Sequence, residues 1–308
     1  MRSTQRESAK AARLSYTAPL DWPRLLRFLS ARSVKGVESV HEDAYLRTVR
    51  IGDHVGWIRV CDVPDEHALA VEIAPALVPV LEPLRARLAH LFDLRARPDI
   101  IAAHFARDPI LGHAVEQRPG LRVPGAFDGF ELAVRAILGQ QITVKAATTI
   151  AGRFAGAFGE AIETPHAALT HLSPTAKRVA AATVDEIASL GIIRTRARSI
   201  LAIATEMESG RLVLEPGAHP DAVIAQLVAL PGIGPWTAHY IAMRALRWAD
   251  AWPTGDIALR NALGRVTAKR ADELSQPWRP WRSYATLHLW CEASESAAET
   301  TTSSRSRP

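Results

Sequence analysis

Residues 230–260 read LPGIGPWTAHYIAMRALRWADAWPTGDIALR and contain the strongest signals for fold and chemistry in the chain. Gly232 and Gly234 enclose a tight hairpin, and apolar residues recur at helical spacing on both sides of it. Glycine permits a positive φ or a close approach of the backbone, and Pro235 suits a first helical position, where an N–H would lack a partner. A helix-hairpin-helix is therefore predicted, with an ordinary turn between packed helices as the alternative.

The N-terminal amides of the second helix would form an anion site behind this hairpin. They have no intrahelical partner, and the helix dipole places positive charge at the same point. Such a device holds a phosphate without reading the base sequence. The net charge of +5 and the pI of about 9.5 also favour a polyanionic partner, although many proteins share that balance.

Aromatic side chains lie on the second helix, and one carboxylate follows it. Trp236 and Tyr240 are four residues apart and share a helix face, which is also typical of core residues. Asp256 comes after a Pro-Thr-Gly turn, where helical periodicity restarts, so it is predicted to cap the next helix. A carboxylate there could also stabilise a developing sugar cation or activate water, and the two roles are compatible. Arg244 and Arg247 could belong to a solvated face.

Composition excludes several classes of protein. A chain of 308 residues with 48% hydrophobic content can bury a substantial core and predicts two or three subdomains. Cys61 and Cys291 match no metal-ligand or redox spacing, which argues against a zinc site and for a reducing compartment. No apolar run is long enough to span a membrane. A cytoplasmic protein without membrane attachment or redox cofactor is expected.

The remaining sequence divides into a mixed part and a helical part. Residues 1–12 are polar and basic and predict a disordered lead-in, whereas 13–95 alternate between helical and strand patterns, with Gly52-Asp53 as a hairpin signal. From residue 96 the pattern is almost entirely helical. The Ser/Thr-rich residues 293–308 predict a disordered tail.

A break in the helical pattern lies at Gly139, Gln140 and Gln141. A glycine followed by two amides is locally unfavourable inside a helix. The break therefore predicts either the end of a helix or a functional loop.

Five segments of the chain, in this order, resemble the helix-hairpin-helix DNA glycosylase superfamily, and within it the bacterial 3-methyladenine DNA glycosylase II (AlkA-type) enzymes. They cover roughly residues 14 to 291. The segments are LDWPRLLRFLSARSVKGVESV, HLFDLRARP, RPGLRVPGAFDGFELAVRAILGQQITVKAA, the stretch at 230–260 and RPWRSYATLHLW.

The resemblance implies an α+β fold. A small N-terminal α/β-sheet (TBP-like) domain would occupy residues 13–95. A mostly α-helical glycosylase core of two subdomains would follow at 96–292. The central subdomain with the hairpin would span 126–249, and the second would combine 96–125 with 250–292.

The resemblance also implies a function. It predicts a monomeric, monofunctional enzyme of base-excision repair that flips alkylated purines out of double-stranded DNA and removes them, leaving an abasic site. Asp256 would be catalytic, and the base pocket would be formed by Trp236, Tyr240, Trp290 and Phe28, the last of which could equally be plain core. DNA contacts are expected from Gly232, Gly234, Pro235, Thr237, Gln140 and Gln141. A monovalent cation would bind the backbone carbonyls of Val228, Leu230 and Ile233.

Some residues depart from the family pattern. Gln141 stands where some members carry a leucine wedge, and Trp236 stands where strand-cutting members carry a nucleophilic lysine, so base removal alone is expected. Ile257, Ala258 and Cys291 also differ from bulkier residues in some members, which leaves the preferred lesion open. The alternative function is a non-catalytic helix-hairpin-helix protein that only grips DNA.

Overall fold

The computed structural model describes residues 9–305 of the chain. An antiparallel five-stranded sheet is followed by a mostly helical body, and short 3-10 turns lie at Pro64–Glu66, Pro75–Val80 and Gln276–Trp278. The strands are β1 (Lys10–Ser15), β2 (Glu38–His41), β3 (Ala44–Ile51), β4 (His54–Val63) and β5 (Ala68–Ile73). The helices are α1 (Trp22–Ser30), α2 (Leu81–Leu91), α3 (Pro98–Phe105), α4 (Gly112–Gln117), α5 (Gly129–Leu138), α6 (Val144–Phe158), α7 (Ala176–Ala180), α8 (Val184–Ala188), α9 (Arg194–Glu208), α10 (Pro220–Ala229), α11 (Pro235–Ala245), α12 (Ile257–Ala262), α13 (Ala268–Leu274) and α14 (Arg282–Arg305).

The sheet has the strand order β1-β5-β4-β3-β2. β3 and β4 are joined at Gly52, whose φ of +58° suits the predicted hairpin turn. Tyr45, Ile58 and Val71 lie on one sheet face, where they join a core with Trp22 of α1 and residues of α2. Alternating side chains place these residues on the same face of neighbouring strands. The first helix is thereby fixed against the sheet.

Both predicted disordered ends are partly ordered. The lead-in was expected at residues 1–12, but Lys10–Ser15 pairs with β5, and Ala12 is buried in the sheet core. Residues 1–8 lie outside the described part of the chain. The tail was expected at residues 293–308, but α14 continues to Arg305. The first turns of this helix are buried, and Glu295 forms ion pairs with Arg24 and Arg118, which explains the difference.

The helical body contains two hydrophobic clusters. One cluster gathers α5, α9 and α11, with Ile137, Ile200 and Ile241 fully buried. The other gathers α3, α4 and the last three helices, with Phe105 and Leu289 fully buried. The clusters meet near the end of α11. The hairpin directly precedes α11, which packs in the first cluster, and the Asp256 turn directly precedes α12, which packs in the second. Each turn is therefore positioned by a well-packed helix.

A buried ionic cluster joins the sheet to α5. Arg47 donates to Glu131 at 2.8 Å, and Arg135 donates to Glu38 at 2.8 Å and to Glu131 at 3.0 Å. Burial opposes ionisation of Glu131, but the two guanidinium groups outweigh it and lower the pKa of Glu131 to about 2. Tyr45 also donates to Glu38, at 2.5 Å. The carboxylates of this cluster are therefore fully committed to their partners.

Among residues 9–305, no helix combines the length and the apolar character that crossing a membrane requires.

Acid is expected to destabilise the fold through two buried histidines. Burial lowers the pKa of His90 and His288 to about 4, so the unfolded chain binds protons between pH 6.5 and 4 that the folded chain does not. Their contribution is present above pH 6.5 and is lost as the pH falls through 4. Each should remove about 1–2 kcal/mol of unfolding free energy between pH 7 and pH 5. Burial raises the pKa of Asp93 to about 6, which offsets part of this loss.

Urea unfolding at several pH values and constant ionic strength measures this effect. A His288→Gln variant should lose less stability than the parent on going to pH 5. A variant of the exposed His219, His219→Gln, should keep the slope of the parent. Equal slopes in the parent and in His288→Gln would contradict the account.

Candidate active site

The predicted hairpin lies between α10 and α11. Gly232 has a φ of +76°, and a Cβ there would lie 2.4 Å from the hydroxyl oxygen of Ser199. That hydroxyl donates to the carbonyl of Pro231 at 2.6 Å. Gly234 caps α11 with an ordinary φ of −89°, and a Cβ there would meet open space. The first glycine is therefore required by the fold, whereas the second leaves the surface of the hairpin free.

The interruption after α5 packs against this hairpin. The side-chain amide of Gln140 donates to the carbonyl of Gly232 and to the hydroxyl of Thr237, both at 3.1 Å. The backbone carbonyl of Gln140 accepts from Arg196, which lies in the first turn of α9. Gln141 follows with a φ of +56° and an exposed side chain. Gln140 therefore links the loop after α5 to the hairpin and to α9. The exposed Gln141 is the next residue of that loop.

Asp256 both caps a helix and binds two indoles. One carboxylate oxygen accepts from the backbone N–H of Leu259 at 2.8 Å and from the indole N–H of Trp290 at 3.2 Å. The other oxygen accepts from the indole N–H of Trp236 at 2.7 Å. Gly255, with a φ of +81°, turns the chain just before it. The carboxylate is therefore held in one orientation by three donors.

The aromatic side chains form a continuous wall beside this carboxylate. The rings of Trp236 and Tyr240 stack with centroids 5.3 Å apart and an interplanar angle of 6°. The rings of Tyr240 and Trp290 are 6.3 Å apart at 46°. These rings, Phe28 and Asp256 all line one cavity of about 1080 Å³. The structure therefore brings together every residue expected at the base pocket, and Phe28 both lines the cavity and packs against the core of the sheet.

Arginines also line the cavity, and most of them are not distinguished by any local sequence pattern. Arg244 is only 5% exposed, so it does not belong to a solvated face. It donates to the carbonyls of Pro124 at 2.7 Å and Gly125 at 2.9 Å, and to the hydroxyl oxygen of Tyr240 at 2.8 Å. Burial opposes ionisation of Tyr240, but Arg244 and Arg32 outweigh it and lower the pKa of the phenol. Nothing in the local pattern of α11 distinguishes Arg244 from a surface residue.

The departures from the family pattern fall in different places. Ala258 and Cys291 line the cavity, so their small side chains widen it. Ile257 does not line it and is 70% exposed beside its mouth. An ionic cluster links α14 to α1 and to the end of α4. In this cluster Glu295 pairs with both Arg24 and Arg118.

Two family models match the chain. Residues 11–128 match the AlkA N-terminal domain, and residues 134–278 match the HhH-GPD superfamily base excision DNA repair protein. The sheet and α1 lie in the first match, and the hairpin and Asp256 lie in the second. Phe28 and Asp256 therefore come from different matched regions but line the same cavity.

Two curated relatives match most of the chain. It is 34% identical over 279 residues to the DNA-3-methyladenine glycosylase 2 of Escherichia coli, covering 90% of this chain and 95% of that protein. It is 39% identical to a Mycobacterium tuberculosis protein named probable bifunctional transcriptional activator/DNA repair enzyme AlkA. That match covers 90% of this chain but only 56% of the relative, so the chain spans about half of the longer protein.

Solved structures share the fold. A 3-methyladenine DNA-glycosylase from Archaeoglobus fulgidus superimposes with a TM-score of 0.81 at 19% identity, covering 92% of this chain and 98% of that one. At this identity the likeness concerns the architecture alone. It extends over the sheet and the helical body together.

Proposed function

The chain belongs to the DNA-3-methyladenine glycosylase 2 family of helix-hairpin-helix base excision DNA repair proteins, and we propose that it is a monofunctional DNA glycosylase. It extrudes alkylated purines of the 3-methyladenine and 7-methylguanine type from double-stranded DNA and hydrolyses their N-glycosidic bonds. The product is an abasic site. Duplex DNA is the partner, and the enzyme acts as a cytoplasmic monomer.

The cavity suits an extruded base. An enzyme that acts on a base within a duplex must take it out of the stack, which costs least for a damaged or weakly paired base. The volume of about 1080 Å³ accommodates a purine with its sugar, and three electron-rich rings form one wall. A purine alkylated on a ring nitrogen is cationic, and the faces of Trp236, Tyr240 and Trp290 attract it by cation–π contact and stacking.

Asp256 is proposed to carry the chemistry. When the C1′–N bond breaks, its electron pair passes to the base, and the sugar gains oxocarbenium character. The fixed negative charge of Asp256 stabilises this cation, positions a water for attack on C1′ and accepts the proton that the water loses. A cationic base departs as a neutral molecule and needs no proton. Because Trp236, Trp290 and Leu259 already hold the carboxylate, little reorganisation accompanies the reaction.

The observation that carries this proposal is the shared cavity of Asp256 and the aromatic wall. A protein that only grips DNA needs the hairpin but not an enclosed carboxylate beside stacked rings. The backbone N–H groups at Gly232, at Gly234 and in the first turn after Pro235 hold a phosphate, and Thr237 and Gln140 support that turn. Gln141 projects from its loop and fills the space that the extruded base leaves, as a polar replacement for an apolar wedge.

A monovalent cation is proposed at the same hairpin, where it would bridge the backbone to a DNA phosphate. The carbonyl of Leu230 accepts one long bond, at 3.4 Å, from the N–H of Ile233, so most of its acceptor capacity remains available. Val228 lies in the last turn of α10, and Ile233 lies in the hairpin that follows. Oxygen ligands of this kind fit a hard cation, which would supply positive charge to the phosphate contact.

Incubation with a duplex that contains one 7-methylguanine is expected to leave the strand intact until hot alkali is added. Cleavage by a glycosylase of the strand-cutting type requires an amine that forms a Schiff base with C1′. Trp236 has no such amine, and the cavity wall contains no lysine among the described residues. Gel electrophoresis with and without alkali measures base removal and strand cleavage separately.

Borohydride provides the second arm of this experiment. It should trap no covalent complex between the protein and the DNA. A trapped complex would contradict the monofunctional assignment, and an absence of alkali-labile sites would contradict the glycosylase assignment itself.

A further inference from the structure

Arg32 lies at one side of the base cavity and has an unusual environment. Its guanidinium carbon is 3.9 Å from the centroid of the Phe28 ring, and one of its nitrogens donates to the carbonyl of Phe28 at 3.3 Å. The backbone carbonyl of Arg32 accepts from Arg135. The side chain is thus fixed against a wall residue of the cavity that it lines. Most of its five N–H groups remain available to a ligand.

The charge around Arg32 is not balanced. Glu38 and Glu131 are the neighbouring carboxylates, and they are bound by Arg47 and Arg135. In the part of the chain that the structure describes, neither Arg32 nor Arg244 forms an ion pair. Arg244 is buried and Arg32 is half-buried, and guanidinium groups withdrawn from water without a carboxylate are costly, because a desolvated charge needs a partner. The surplus positive charge therefore suggests that a ligand supplies the missing acceptor.

The hydroxyl of Tyr240 adds a second donor on the same side. Its oxygen accepts from Arg244 at 2.8 Å, and the other nitrogens of Arg244 are bound to the carbonyls of Pro124 and Gly125. These three hydrogen bonds hold the Arg244 guanidinium in place. Because the phenol oxygen of Tyr240 accepts from Arg244, its own proton points away from that guanidinium. The Tyr240 ring stacks on Trp236, which binds Asp256. The aromatic wall thus separates an acidic side of the cavity at Asp256 from a donor side at Arg32 and Tyr240.

We propose that Arg32 and the Tyr240 hydroxyl form hydrogen bonds to acceptor atoms of the departing base and determine which bases the enzyme releases. This inference rests on the proposed glycosylase function. When a neutral base leaves, the electron pair of the C1′–N bond makes it anionic, and water then supplies a hydroxyl group to C1′ and a proton to the base. Donors and positive charge on the base side stabilise that anion.

The same groups give no net advantage to a cationic base. Arg32 repels such a base when it binds, and this repulsion is relieved as the base leaves as a neutral molecule, so the two effects cancel in the rate measured from free enzyme and free DNA. A neutral purine with a carbonyl oxygen gains a charge-assisted hydrogen bond. The substrate class that depends on Arg32 is therefore the neutral purine lesions with an oxygen acceptor.

Single-turnover release from two duplexes that differ in one base tests the inference, with the enzyme in excess of DNA but below saturation so that the rate reports binding and cleavage together. One duplex carries hypoxanthine, which is neutral, and the other carries 7-methylguanine, which is cationic. Arg32→Gln should slow hypoxanthine release by about tenfold or more and 7-methylguanine release by less than about threefold, given typical losses for one transition-state donor. Tyr240→Phe keeps the ring and should shift the ratio of the two rates in the same direction.

Arg24 provides a matched control. It also lines the cavity from α1, but its charge is paired with Asp21 at 2.9 Å and with Glu295 at 3.0 Å. Arg24→Gln should leave the ratio of the two rates at the parent value. The ratio is insensitive to a general loss of folded protein, so a destabilised variant remains informative.

The outcomes distinguish the two levels of the proposal. Equal slowing of both substrates in Arg32→Gln, or an unchanged ratio in both Arg32→Gln and Tyr240→Phe, overturns the role of Arg32. A parent protein that releases 7-methylguanine but no hypoxanthine overturns this inference and leaves the proposed function standing. A parent protein that releases neither base overturns the proposed function as well.

Discussion

Asp256→Asn is expected to slow base release from methylated DNA by about a thousandfold, within the range found when preorganised charge stabilisation is removed. Asparagine can still accept from the N–H of Leu259, so the cap of α12 persists. It lacks the negative charge that stabilises the sugar cation, and its amide group faces indole N–H donors that need an acceptor. Single-turnover assays measure the rate, and a gel-shift assay with an abasic analogue measures binding, which should be retained.

The chain contains a matched control for this substitution. Asp272 accepts from the indole N–H of Trp252 at 2.8 Å, the same kind of contact, but it does not line the cavity. Asp272→Asn should release bases at the parent rate. A parent-like rate in Asp256→Asn, or a loss of DNA binding equal to its loss of rate, would mean that Asp256 has no chemical role.

Gly232→Ala is expected to weaken DNA binding by about tenfold or more, which corresponds to roughly 1.4 kcal/mol. Its φ of +76° is unfavourable for alanine, and the new methyl group would displace the Ser199 hydroxyl that holds the turn. The thermal midpoint should fall as well. Binding to an abasic-analogue duplex and thermal unfolding measure the two effects.

Gly234→Ala distinguishes an effect on DNA binding from an effect on stability. It should unfold like the parent, because a Cβ there meets open space in the free protein. It should still weaken DNA binding, because the methyl group would stand where a phosphate approaches the amides. Gly156→Ala, in the last turn of α6 where an added Cβ would also meet open space, should change neither binding nor release. Parent-like binding by both hairpin variants would place the DNA contact elsewhere.

The hairpin and the Asp256 turn could be predicted because their signals are local. Gly232 and Gly255 adopt positive φ values in the short turns that the sequence indicated. Asp256 caps α12 directly after its turn, as helical periodicity suggested. In such places the residue types alone limit the backbone to a few conformations.

The donor side of the cavity could not be predicted because its contacts are distant in sequence. Arg135 and Glu38 are 97 residues apart, and Arg47 and Glu131 are 84 apart. Arginine on a helix is usually solvated, and no spacing indicates which one a distant strand will bury. Only the packing of α1 and the sheet against α5 reveals that Arg32 has no carboxylate of its own.

The ends of the ordered region were also beyond local patterns. Lys10–Ser15 became a strand because β5 offers an edge for pairing, although its own composition is polar and basic. The last helix extends past residue 293 because Glu295 is tied to Arg24 and Arg118. In both cases a tertiary contact overrides a weak local preference.

The most direct measurement is the chromatographic identification of bases released when the protein is incubated with methylated duplex DNA. The account predicts free 3-methyladenine and 7-methylguanine, with no strand breaks before alkali treatment and almost no release by Asp256→Asn. Release of no modified base, from protein that binds the same DNA, would contradict it.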